Sequence, residues 1–374
     1  MKNLSAVLNA RWFKITLALI VLVIVIAFAA WWGWNHYGKT IYEDRQLLKA
    51  EDAFNENDLT TAILVASAVV QSNPTNVNAL VQLSLYLSQK GSLEFKEKEF
   101  GEKAIVVAKR AIELDGNNSE AWRALGYAHE IMQNYYDAHA EYGVALSHDN
   151  SNVRAMFGDG HVYDLEGKPA EAEQNYRNAI KVEPGFVEAH AGLGRVLVSQ
   201  NKLDDAVSEF LIVYNTSKSK HVKAEAAYSL GQIYRAQGKL TDAQKYAEEA
   251  TVLDPVYPLA WYGAGAVYYS QAIDHTSTAP IADRAALIQK STVMMNNAIG
   301  LNKNQTAAYV QQAVNFSLIG KFDVSFDALE KAQTVVLSDN TLSTPEKGEM
   351  IKRIHGVRDS LKTLSEAPKP PAAN

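Results

Sequence analysis

Apolar residues recur along this chain at helical spacing, in two short runs per unit. The unit itself returns about every 34 residues from about Tyr42 to Ser338. In the copy starting at Ser119, Trp122, Leu125 and Gly126 mark the first run, and Ala138, Tyr142 and Ala145 the second. One period on stand Met156, Asp159, Gly160, Ala172, Tyr176 and Ala179; another gives His190, Leu193, Gly194, Ala206, Phe210 and Val213. The pattern returns from Ala224 as Leu230, Gly231, Tyr234, Ala243, Ala247 and Ala250, and from Pro258 as Trp261, Ala264, Gly265 and Tyr268. Each unit reads as two helices. Its glycines and alanines let the pair approach closely, and its large rings fill the space between units. Pro184 and Pro255 end second helices, because a ring without an amide hydrogen cannot continue one. Gly167-Lys168, Gly238-Lys239 and Gly320-Lys321 mark the turn inside a pair, where a positive φ is wanted. A unit this small cannot bury its own apolar face, so the units must stack.

The residue series resembles the tetratricopeptide repeat family, whose W-L-G-Y-A-F-A-P signature it reproduces with substitutions. The resemblance implies an all-α solenoid of about eight repeats over residues 42–338. Three copies are degraded. The first, near Tyr42, keeps Ala62, Ala66, Val69 and Pro74. The second begins at Val77 with Leu83 and resumes at Ala104, Ala108 and Ala111. The eighth begins at Thr306 with Tyr309, Phe316, Leu329 and Ala332. Two insertions interrupt the register. Gly91–Gly101 is charged and reads as a lengthened helix pair, and Asp274–Arg284 as a loop or short extra helix. Thr344-Pro345-Glu346 opens a capping helix over residues 344–364, and the Pro/Ala-rich residues 365–374 read as a disordered tail.

Ahead of the repeats, a short tail over residues 1–14 leads into an uncharged run from Ile15 to Asn35. About 20 apolar residues span a bilayer core, and amphipathic rings favour its edges. Trp12 stands on one side, and Trp31, Trp32, Trp34 and Tyr37 on the other, so residues 15–37 read as a transmembrane signal anchor. The rival is a cleaved secretory signal, with Ala27-Phe28-Ala29 as its small-x-small site. Arg11 and Lys14 abut the run, and only Lys39 lies close beyond it. That asymmetry points to a cytoplasmic N-terminus with the repeats outside, in a periplasm or on a cell surface.

Composition excludes several chemistries. With no cysteine there is no thiolate nucleophile, iron–sulfur ligation or Cys-rich zinc site. The formal charge of −6 argues against broad nucleic-acid binding, and Lys218, Lys220 and Lys223 form the one basic run in the repeats. His129-Glu130-Ile131-Met132-Gln133 lacks the second histidine of a zinc-peptidase helix. Gly33 through Gly38-Lys39-Thr40 matches a phosphate-loop pattern letter for letter. It follows an apolar helix rather than a strand, and Trp34, His36 and Tyr37 crowd the place of the cradle, so the match is a coincidence. His129, His139, His161 and His190 can approach one another on successive repeats, but packing histidines account for them. Neither an enzyme nor a cofactor or metal site is expected, because the repeats leave no room for a catalytic domain.

The family resemblance further implies where a partner sits. The second, fifth, ninth, twelfth and thirteenth positions of each first helix line a concave groove in this family. Carried onto this chain, they include Arg123, Tyr127, Glu130, Arg154, Phe157, His161 and Asp164, then Arg195, Tyr228, Gln232, Arg235, Tyr262 and Tyr269. Arg123, Tyr127, Phe157, Arg195, Tyr228, Arg235, Tyr262 and Tyr269 are the aromatic and arginine residues expected to dominate a partner-binding groove. Some of these tyrosines can equally well pack between helices. The terminal-carboxylate clamp of the family's chaperone-tail binders is put in doubt, since Tyr127 and Arg195 stand where it needs asparagine. The expectation is a membrane-anchored scaffold that binds partner proteins or peptides for assembly or recruitment at the cell envelope. The alternative is a structural subunit that self-associates into a surface layer or fibre.

Overall fold

The computed structural model describes residues 19–274, 281–339 and 341–366. Every regular element among them is helical. The chain divides into two compact units at Glu166/Gly167. The first holds α1 (residues 19–33), a π-helical turn at Trp34–Gly38, α2 (Lys39–Asn55), α3 (Leu59–Ser72), α4 (Val77–Glu94), α5 (Glu97–Leu114), α6 (Ser119–Ile131), α7 (Tyr135–His148) and α8 (Val153–Leu165). The second holds α9 (Pro169–Val182), α10 (Val187–Ser199), α11 (Leu203–Thr216), α12 (Lys220–Ala236), α13 (Leu240–Leu253), α14 (Pro258–Ile273), α15 (Ile281–Leu301), α16 (Thr306–Leu318), α17 (Phe322–Ser338) and α18 (Thr344–Glu366). In each unit consecutive helices pack as antiparallel neighbours, and the first helices of successive pairs also touch, α2 with α4, α4 with α6 and α6 with α8. Each unit is thus an α-solenoid.

Local chemistry sets the helix ends. Asn76, Asn118 and Asn152 cap α4, α6 and α8, each side-chain oxygen accepting from the backbone N–H three residues on at 3.0, 3.0 and 2.9 Å. Gly167, Gly238 and Gly320 sit at φ +72°, +74° and +75° in the intra-pair turns, as the spacing predicts. The turn residues of other pairs, Asn57, Phe95, Gln133 and Asn201, take the same left-handed conformation without glycine. The indoles of Trp122 and Trp261 donate to the carbonyls of Gly116 and Pro255, at 2.8 and 2.9 Å, clipping the turn before each helix.

The core is small residues closed around large rings. Tyr142 of α7 is 1% exposed, wedged between Gly126 of α6 and Gly158 of α8. Tyr176 of α9 lies against Gly192 of α10 in the same way. The sequence reading credits the eighth-position glycine with close approach within a pair. The structure adds that the sixth position, Gly158 or Gly192, makes room for the ring of the preceding helix. The Gly91–Gly101 insertion lengthens α4 and α5 to 18 residues each. Ile281–Arg284 form the start of α15, and residues 275–280 of the second insertion lie outside the described residues. Helix α18 lays Ile354 and Leu361 on the α16–α17 core. At its entry Glu346 makes one half of a capping box, its carboxylate accepting from both the Ser343 N–H and hydroxyl, at 2.8 and 2.6 Å. The expected tails, residues 1–14 and all but the first two residues of 365–374, lie outside the described residues.

The expected membrane span begins outside the described residues, at positions 15–18. Among the described residues no helix is long and apolar enough to cross a membrane. Residues 19–33 are helical with exposed apolar side chains, among them Ile20, Val23, Ile26 and Phe28. The helix passes without a break through the π turn into α2, with Gly38 still helical at φ −66°, ψ −37°. A Cβ at Gly38 would come within 2.6 Å of the Trp34 ring, so glycine is what lets that indole lie on the backbone.

Candidate functional site

The first helices of the pairs in the first unit enclose a groove of about 730 Å³. Helix α2 contributes Asp44, Leu47, Leu48, Glu51, Phe54 and Asn55; α4 contributes Asn78, Val81, Gln82, Leu85, Tyr86 and Gln89. Glu120, Arg123 and Tyr127 come from α6 and Arg154 from α8. Residues three, four and seven apart share a helix face, which is why Asp44, Leu47, Leu48 and Glu51 of α2 look into one space. Apolar side chains form the floor, and Phe54 stacks on Tyr86 at 4.9 Å between ring centroids.

Polar contacts fix part of this lining and leave part open. The Tyr127 hydroxyl donates to Gln89 Oε1 at 2.6 Å, and burial pushes it well above the ordinary tyrosine range. Burial likewise pushes Tyr86 up to about 12, with the nearby Glu51 charge acting in the same direction. Arg123 donates to Glu120 Oε2 through Nε at 2.9 Å and through its terminal nitrogen at 2.7 Å. Burial alone would raise the Glu120 carboxyl, but the Arg123 charge and its hydrogen bonds, with Asn152 and Arg154, hold it below its ordinary value. Arg123 is therefore committed. Asp44, Glu51 and Arg154 are exposed and take part in no ion pair among the described residues. The Gln82 side-chain oxygen is buried in the groove wall without a hydrogen-bond partner.

The second unit has a smaller hollow, of about 200 Å³, lined by Arg195, Phe210, Glu225, Tyr228, Tyr257 and neighbours from α10 to α12. Tyr228 meets Tyr257 edge-on at 6.1 Å and lies against Gly263. Of the groove residues expected from the sequence, Arg123 and Tyr127 thus line the first groove, and Arg195 and Tyr228 the second hollow. The other four lie outside both. Phe157 stacks on His161 at 6.1 Å, and Arg235 turns its Nε to Gln232 Oε1 at 3.2 Å. Tyr262 packs on the Met295–Ala298–Ala308 cluster, and Tyr269 is half-buried on α14.

Two lining helices escaped the sequence reading because their repeats are degraded. Counting the first repeat from Glu43, one residue after the sequence-based start, places Asp44, Leu47, Glu51, Phe54 and Asn55 at the second, fifth, ninth, twelfth and thirteenth positions. Counting the second from Val77 gives Asn78, Val81, Leu85 and Gln89. The signal was Ala50, fully buried at the place of Gly126, which fixes the register.

His129, His139, His161 and His190 pair with carboxylates rather than with each other. His129 Nδ1 meets Glu141 at 2.7 Å, His161 Nδ1 meets Glu130 at 2.8 Å, and His139 bridges Asp159 at 2.5 Å and Glu166 at 3.1 Å. In the second unit His190 lies 2.5 Å from Glu209 and 2.9 Å from the Pro184 carbonyl. No group of three or more His, Asp or Glu among the described residues is arranged to hold a metal ion.

Comparison with known proteins agrees with this architecture. Residues 165–211 and 228–289 match family models described as tetratricopeptide repeat. Human Tetratricopeptide repeat protein 6 is 23% identical over 229 residues, covering 51% of this chain and 43% of that protein. The chain spans less than half the length of the curated relatives it matches. Among solved structures, the APC/C hetero-tetramer Cut9-Hcn1 superposes with a TM-score of 0.59 at 13% identity, covering 83% of this chain and 55% of that one. Yeast Tom70 does so with 0.52 at 15% identity, over 87% and 66%. At these identities the two structures speak for the fold alone.

Proposed function

We propose, for a chain that carries tetratricopeptide repeats, that it is a membrane-anchored scaffold holding partner protein segments in the groove of its first unit. Proteins of this repeat are in general scaffolds for protein interaction. The observation that carries the reading here is the groove itself: about 730 Å³, aromatic and aliphatic at its floor, rimmed by unpaired charges. A photo-crosslinking side chain at Leu48 or Asn55 should capture a partner in cells, whereas one at Lys109, exposed on α5, should not. Equal capture at all three positions, or none at Leu48 and Asn55, counts against the groove.

The anchor is supported by the exposed apolar side chains of residues 19–33, continuous in sequence with Ile15–Ala18, and by the ring cluster Trp31, Trp32, Trp34 and Tyr37 at their end. Placing the repeats outside a cell-envelope membrane rests on Arg11 and Lys14 before the run. The full chain should resist carbonate extraction from membranes, and its repeats should be digested by protease admitted to the outer compartment. Release into the soluble fraction refutes the anchor, and survival of the repeats beside intact cytoplasmic markers refutes the orientation. One observation favours self-association as a second reading: Trp34, Tyr37 and Ile41 form an exposed apolar stripe along one face of the π turn and the start of α2.

A further inference from the structure

The groove of the first unit is electrically polar along its length. At one end α2 presents Asp44 and Glu51, seven residues apart on one face, exposed and without ion-pair partners. At the other end α8 presents the unpaired Arg154; Arg123 adds little, its guanidinium being already neutralised by Glu120 at 2.7 Å. Between them Val81, Leu85 and Tyr86 form an apolar floor. In that wall the buried Gln82 Oε1 has no donor, and an orphaned buried acceptor is unfavourable until one arrives. A helical occupant uses its backbone N–H groups internally, whereas an extended one offers them. Three helix-to-helix steps of about 8–10 Å separate α2 from α8, a distance that about eight extended residues cover.

From this we infer that the groove takes an extended segment of about eight residues with a basic end, an apolar centre and an acidic end, the basic end lying on α2 and the acidic end on α8. The inference rests on the groove-binding reading and names what the groove selects. The Gln82 side chain turns out from the wall to take a backbone N–H from the central part of the segment on its Oε1, and the ends meet Asp44 and Glu51 on one side and Arg154 on the other.

Three synthetic octapeptides test this against the full chain in detergent, read by fluorescence anisotropy. They share an apolar centre and carry ends that are basic and acidic, both basic, or both acidic. The bipolar peptide should bind at least about tenfold tighter than either uniform one, about 1.4 kcal/mol. In the Asp44→Arg, Glu51→Arg double variant, which alters exposed side chains only, the doubly acidic peptide should become the tightest. Methylating the central amide nitrogens of the bipolar peptide should weaken it severalfold on the native chain and leave it unchanged on Gln82→Leu. Equal binding of all three peptides, with no reordering in the double variant, overturns the charge assignment while leaving the groove as a binding site. No binding of any peptide, together with no capture by the crosslinker at Leu48, overturns both.

Discussion

Two glycine-to-alanine changes, both inside helices, should shift stability in opposite directions. An alanine Cβ at Gly158 of α8 would lie 2.7 Å from both Cε1 and Oη of Tyr142, closer than side-chain contacts allow. The ring cannot move away. Gly126 already approaches its other side, the equivalent Cβ distance there being 3.0 Å, and its hydroxyl is held by Glu130 at 2.6 Å. Overpacking of this kind costs about 1–3 kcal/mol, and the helix preference for alanine returns about 0.5–1. Gly158→Ala should therefore destabilise the first unit, by up to about 2.5 kcal/mol. At Gly356 of α18 nothing lies within 4 Å of the added carbon, so Gly356→Ala should stabilise by about 0.5–1 kcal/mol. Urea unfolding followed by far-ultraviolet circular dichroism measures both, with each unit fitted separately because repeat arrays need not unfold as one. Replacing Tyr142 with leucine in the Gly158→Ala background should recover part of that variant's overpacking loss relative to the single Tyr142→Leu change. If Gly158→Ala proves as stabilising as Gly356→Ala, the wedge of Tyr142 between two glycines is not what sets the spacing of α6, α7 and α8.

Other perturbations follow from single contacts. The hydrogen bond to Glu209 raises the His190 pKa, against burial, with the Pro184 carbonyl helping. The clamp therefore contributes fully below the ordinary histidine value of about 6.5 and is lost as pH rises through the higher folded value. His190→Gln should cost more stability at about pH 6 than at about pH 9; a gap that is flat or widens with pH refutes the charged clamp. Asn152 caps α8 and also donates to Ser119 Oγ and Glu120 Oε1, at 2.9 and 2.8 Å. Asn152→Ala should cost about 1–2 kcal/mol, and a thermal midpoint equal to wild type would show the cap to be idle. Tyr142→Phe removes the donor to Glu130 Oε2, whose carboxylate is 7% exposed, and should cost about 1.5–3 kcal/mol. An unchanged unfolding midpoint in that variant would mean that His161, at 2.8 Å from the other oxygen, satisfies Glu130 alone.

The sequence by itself determined the helical pairs, their turns and most of their register. Those features follow from local rules that each copy repeats: alanine where helices touch, glycine with positive φ at Gly167, Gly238 and Gly320, and aromatic rings between units. The family's groove positions, counted along the regular copies, fall at Arg123 and Tyr127 in the lining of the first groove and at Arg195 and Tyr228 in that of the second hollow. Tertiary structure alone decided which of the counted positions face open space. Tyr262 obeys the same spacing, yet its ring packs on Met295, Ala298 and Ala308 of α15 and α16. Side chains from other helices settle that placement, and spacing along α14 cannot register them. The same holds for the acidic end on α2. That charge became a wall only when α2, α4, α6 and α8 were brought side by side.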